Sequence, residues 1–171
     1  SPAVMREKPR DRDAFIITRR MGRAIIAMGG IFFLFLLALL YHLEHANVTA
    51  IRDLVTTRPG AADGLSSYEL TLFFTTFVML QFFNLFNARA FATGRSALHF
   101  RGCRGLLSIA GVILLGQIAL IEIPGLQRFF NTVEGGLSLE DWLLIIGVTS
   151  LVLWIPELGH QLRRLLTRIG R

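Results

Sequence analysis

Cysteine is almost absent from this chain: Cys103 stands alone among 171 residues. One thiol can form no internal disulfide and cannot build a thiolate metal cluster, so Cys103 reads as a spectator in a loop. Acidic residues are scarce, 12 against 18 Lys and Arg, for a net charge of +6. No G-x-x-x-x-G-K-S/T, no G-x-G-x-x-G, no Cys/His metal spacing and no G-x-S-x-G occurs. The four histidines, His42, His45, His99 and His160, are scattered over links and helix ends. No catalytic constellation can be assembled from these residues, so the segment is not catalytic alone.

What the chain has is apolar length. Hydrophobic residues make up 53% of it, with a mean hydropathy of +0.54. Four runs carry no Asp, Glu, Lys or Arg: Ala24–Leu43, Leu70–Ala88, Gly105–Ile121 and Trp142–Pro156. A spanning helix needs about 20 mostly apolar residues, with a range of about 17–25. The first two runs qualify outright, and the third does with Glu122 at the interface. The fourth covers roughly 22 Å at 1.5 Å per residue and needs Leu139 and Leu158–Leu162 to extend it. The first run is too long for the apolar region of a signal peptide.

Charge placement orients these runs. Seven Lys/Arg precede Ala24, four lie between Arg89 and Arg104, and four follow His160. Only Arg52, Arg58 and Arg128 lie elsewhere. The positive-inside rule names the cation-rich side cytoplasmic. The expectation is therefore an all-α, multi-pass membrane protein: four transmembrane helices in an antiparallel bundle, with both termini cytoplasmic. Residues 1–20 form a basic cytoplasmic arm. The bundle occupies 21–156, with helices at about 21–43, 68–91, 105–123 and 140–156. Residues 157–171 form a basic cytoplasmic tail, amphipathic through Leu158, Leu162, Leu165, Leu166 and Ile169 or simply frayed. Membrane lipid is a partner. Nucleic acid is not, because the cations hug helix ends instead of forming a patch with aromatics.

Local signals fill in the links. Gly29-Gly30 in the first helix, and Gly105, Ser108, Gly111 and Gly116 in the third, suit close helix packing. Pro59-Gly60 and Asp63-Gly64 mark turns, and Pro124-Gly125 ends the third helix. Asn47-Val48-Thr49 matches the glycosylation sequon. Ser138 and Asp141 have the spacing of a capping box opening the fourth helix. Trp142 and Trp154 bracket that helix as interface belts, and Pro156 should bend or break it. Glu122 reads as an interfacial anchor more readily than as an ion-path carboxylate.

The second helix is the most informative stretch, because its apolar run contains Thr75, Thr76, Gln81, Asn84 and Asn87. A side-chain amide in hydrocarbon costs several kcal/mol unless it finds a partner. At about 100° per residue, with Gln81 at zero, Asn84 falls at about −60°, Asn87 at about −120° and Thr76 at about −140°. They share one side, opposite Phe, Leu and Val. Such an arc faces other helices, a cavity or an ion path.

The run from Phe77 to Arg89, FVMLQFFNLFNAR, resembles the eighth spanning helix of P-type calcium ATPases, especially the plasma-membrane type and its bacterial relatives. Lys8–Arg19 looks like the cytoplasmic link before the family's seventh span, and Leu137–Leu143 like the entry to its tenth. The resemblance implies spans seven to ten of a cation pump, supporting and partly lining its ion-binding region. Calcium would be the transported ion. ATP and magnesium would belong to the parent pump, whose phosphorylation and nucleotide-binding motifs this segment lacks. Partners would be the remaining spans and cytoplasmic domains, in the cell or inner membrane. The family's sarcoplasmic-reticulum type places a calcium-binding glutamate where Gln81 stands. The resemblance thus makes Gln81 a residue of the ion region and a weak calcium ligand, with Asn84 beside it. Asn84 serves equally well in interhelical hydrogen bonding, and Asn87 serves better there. A different class of answer is a stand-alone four-span protein: a small channel, a carrier, or an assembly or regulatory subunit.

Overall fold

The computed structural model describes residues 19–60, 64–93, 96–98 and 102–169. The stretch Lys8–Arg12, most of the basic arm, Asp63 of one turn signal, and Arg95, His99, Arg101 and Arg171 lie outside the described residues. All regular structure among the described residues is helical: α1 (Arg19–Ala46), α2 (Asp53–Thr56), α3 (Ser67–Thr93), α4 (Arg104–Glu122), α5 (Pro124–Phe130) and α6 (Leu139–Ile169). Three of these stretches are long and apolar enough to cross a membrane: Met21–Ala46, Ser67–Ala90 and Arg104–Glu122. They coincide within a few residues with the first three expected spans, because an apolar run free of charge has few other ways to satisfy its backbone in lipid.

The chain divides into two compact units, Ser1–Phe35 and Leu36–Arg171, with the boundary inside α1. Within the second unit α3 is the hub, packing most extensively on α6 and also on α4. Hydrogen bonds set the directions. Tyr68 Oη, at the start of α3, donates to Asp141 Oδ1, at the start of α6, at 2.9 Å. Asn87 Nδ2, late in α3, donates to the Val152 carbonyl of α6 at 2.6 Å. The two helices therefore run parallel. The main apolar cluster joins the end of α1 (Leu43, Ala46), Val48 and Ile51 to Leu72, Met79, Ile121, Leu137 and Ile145.

Two capping boxes start the helices that meet here. Ser138 Oγ accepts the Asp141 N–H at 3.2 Å while Asp141 Oδ2 accepts the Ser138 N–H at 2.9 Å, as their spacing leads one to expect. Ser66 and Glu69 do the same at α3. Other features depart from expectation. The segment after Pro124 is not an open link but α5, with Pro124 in its first turn. Gln127 of α5, buried, caps the Ile121 carbonyl at the end of α4. Ala110, a small residue of α4, is buried with Gln117 and Ile121 on its packed face, whereas a Cβ added at Gly105, Gly111 or Gly116 would meet nothing within 4 Å among the described residues. Nor does α6 stop at Pro156; it continues to Ile169. Proline removes one helical hydrogen bond, and neighbouring groups can make good that loss.

The short α2 hangs on one carboxylate. Asp53 Oδ2 accepts the Thr49 hydroxyl at 2.9 Å and the N–H groups of Thr49 and Ala50 at 3.1 and 2.9 Å. These bonds, the Thr49 hydroxyl first, hold the Asp53 carboxyl below the usual carboxylate range. A depressed folded-state value contributes stability above the unfolded pKa of about 3.9 and loses it as pH falls through the folded one. Hydrogen–deuterium exchange on acidification should therefore show 49–57 losing protection only below about pH 4, ahead of α3. Loss of protection already at pH 6 would contradict this role.

Candidate functional site

The polar residues of α3 do not share one environment. Thr76 is buried, Asn87 is bonded to α6, Asn84 is half-buried and Gln81 is exposed. Leu70, Phe74, Phe77 and Ala88 are exposed as well. On a helical wheel centred on Gln81 these four lie at about −20°, +20°, −40° and −20°. One stripe of α3, from about three turns before Gln81 to about two turns after it, thus faces away from α4 and α6. Gln81 is its polar centre, and Asn84, at about −60°, lies on its flank.

The rest of the circumference is packed and internally satisfied. Thr71 and Thr75 donate to the carbonyls of Ser67 and Thr71, at 2.6 and 2.7 Å, in the way hydroxyls fold back inside helices. Thr75 Oγ1 also accepts Gln117 Nε2 of α4 at 3.2 Å, and Thr71 Oγ1 accepts the Val133 N–H at 2.9 Å. Gln117 and Thr75 are both buried. Buried polar pairs of this kind join helices at a typical net gain of about 0.6 kcal/mol. They serve packing between the helices.

At the ends of α3 and α6, acidic side chains tie the links down. Glu69, 2% exposed, accepts the Val48 N–H at 2.6 Å as well as Ser66. Glu122 Oε1 accepts Trp142 Nε1 at 3.3 Å, a contact that suits an anchor at a helix end. Gly135 and Gly136 carry the chain past Glu122 with φ of +87° and +79°. A Cβ at Gly136 would stand 2.5 Å from the Glu122 carboxyl oxygen. Arg52 pairs with Glu140 at 2.7 Å. That hydrogen bond and charge hold the guanidinium above its ordinary pKa, but so exposed a pair adds little stability. Glu157, buried, accepts Ser96 Oγ at 2.7 Å and the Ala97 N–H at 3.2 Å. The sequence reading missed Glu69 and Glu157 as anchors. For Glu69 the Ser66-x-x-Glu69 spacing was a usable signal; for Glu157 no local pattern exists, because its partners lie 60 residues away.

Among the described residues no three His, Cys, Asp or Glu gather as a metal-holding group. What remains is a helical segment with long apolar faces, polar groups turned into helix contacts, and one amide left on an open stripe. That is a membrane-embedded helical domain of a multi-pass membrane protein. Residues 1–162 match the family described as Cation transporting ATPase, C-terminus, and the chain belongs to that family. It is 30% identical over 165 residues to Calcium-transporting ATPase 1 of Schizosaccharomyces pombe, covering 94% of this chain and 16% of that protein. With Calcium-transporting ATPase of Bacillus subtilis it shares 24% identity, over 86% of this chain and 15% of that protein. Calcium-transporting ATPase type 2C member 2 of Mus musculus is 38% identical over 63% of this chain and 11% of its own length. The chain thus spans about a sixth of the length of such relatives.

Proposed function

We propose that this chain forms spans seven to ten of a calcium-translocating P-type pump, and that the stripe of α3 centred on Gln81 packs against the spans that carry the ion. The observation that supports this reading is the exposed amide of Gln81 between Phe77 and Ala88 on an otherwise apolar face. Lipid offers that amide no partner, whereas a neighbouring span or a hydrated ion path does. In this reading α6 is the fourth span. Its exposed Leu143, Leu144, Val148, Leu151 and Ile155 face lipid. The parallel course of α3 and α6 suits a chain that crosses, returns through α4 and crosses again. The cation-rich links then place both ends on the cytoplasmic side, with 1–20 as an arm and 157–171 as a tail along the inner surface of the cell or inner membrane. ATP and magnesium act on domains outside this segment.

Calcium is the cargo, and Gln81 reaches it through a neutral carbonyl oxygen. Ligand charge tunes calcium affinity, so Gln81→Glu and Gln81→Ala should move it in opposite directions. The test is ATP-driven calcium uptake into vesicles by the full-length pump. Gln81→Ala should weaken apparent calcium affinity several-fold and Gln81→Glu should alter it measurably, with normal assembly in both. Unchanged uptake in both variants would make α3 scaffold alone.

A further inference from the structure

Pro156 lies inside the continuous helix α6, with thirteen helical residues after it. A proline has no N–H, so it cannot donate to the carbonyl four residues back. That carbonyl belongs to Val152. In a soluble protein water would take up the free acceptor; inside a membrane-embedded packing a protein donor must do so. The donor is present. Asn87 Nδ2 of α3 reaches the Val152 oxygen at 2.6 Å, in a part-buried position.

We infer that Asn87 is the interhelical replacement for the hydrogen bond that Pro156 removes, a latch that lets α6 carry its proline and fixes α3 against it. The match is specific, because among all the carbonyls of α6 the amide of Asn87 takes the one that Pro156 leaves open. The next residue, Glu157, ties the link at Ser96 and Ala97 to the same level of α6. Proline, amide and carboxyl thus lock one end of the α3–α6 pair. Asn87 lies about 120° around α3 from Gln81, so holding Asn87 on α6 keeps the Gln81 stripe turned away from α6. Asn87 is a positioning residue in this sense.

The experiment is a double-mutant cycle in the full-length protein, reading melting temperature and monodispersity after solubilisation in mild detergent. Asn87→Leu keeps the heavy-atom branching, is bulkier and suits the membrane better, but has no donor. It should lower the melting temperature by several degrees in the wild-type background. Pro156→Ala restores a helical N–H for Val152, so the same Asn87→Leu change should then cost little. Should Asn87→Leu prevent assembly outright, its recovery by Pro156→Ala carries the same conclusion. An equal loss in both backgrounds, no loss in either, or no recovery by Pro156→Ala would overturn the latch. The cycle reads hydrogen bonding and not transport, so it stands or falls separately from the calcium-uptake test.

Discussion

Replacing Glu69 with alanine should destabilise the protein by about 3 kcal/mol, the sum of a lost cap and a stranded buried donor. Glu69 sits in the first turn of α3, where negative charge suits the exposed N–H groups of a helix start. Its Oε2 closes the capping box with Ser66 at 2.8 Å, and its Oε1 accepts the Val48 N–H at 2.6 Å. Val48 is 1% exposed and follows Asn47, whose φ of +47° turns the chain out of α1. One side chain therefore holds the end of α1 to the start of α3. Alanine removes these bonds and takes the acceptor from the buried Val48 N–H. Ser66→Ala, by contrast, loses only the cap and should cost about 1 kcal/mol. The comparison is made by thermal denaturation of the two variants in detergent. Equal losses would mean that the Val48 bond contributes nothing, and that the α1–α3 tie resides in apolar packing alone.

The helices were legible because their signals are local. Charge-free runs placed three spans within a few residues of Met21–Ala46, Ser67–Ala90 and Arg104–Glu122. The box at Ser138 and Asp141 was legible for the same reason, since its two members are three residues apart. Direction around a helix was only half legible. The angles of Gln81, Asn84, Asn87 and Thr76 follow from the helical repeat, but which arc meets α6 and which stays open depends on contacts 65 residues away. So the arc split: Asn87 went to α6, and Gln81 stayed outside with Phe74 and Phe77. The glycines of α4 show the same limit, because small residues permit close approach without saying which neighbour makes it. Pro156 does not break α6: a propensity argument counts the lost bond and not the donors that other elements can provide. The roles proposed for Gln81 and Asn84 rest on what covers that stripe.

The second large effect is expected farther along α6, beside Pro156. Glu157→Ala should cost about 2–3 kcal/mol, the range for hydrogen bonds to a charged group whose partners are left buried. Glu157 is 7% exposed, and Ala97, whose N–H it accepts, is 2% exposed. Ser96 Oγ donates to the other carboxyl oxygen at 2.7 Å. Ser96 Oγ also accepts the Leu98 N–H at 3.2 Å, so a single carboxyl organises consecutive backbone groups through one serine. The link contains Arg95 and Arg101, with Arg104 opening α4. Limited trypsinolysis therefore reads its order directly. Glu157→Ala should make cleavage there many-fold faster while the helices stay intact, and Ser96→Ala should produce a smaller increase. Cleavage as slow as in wild type would show that the link is held by other contacts. It would also separate Glu157 from the Asn87 latch, whose loss loosens α3 against α6 without freeing Ala97.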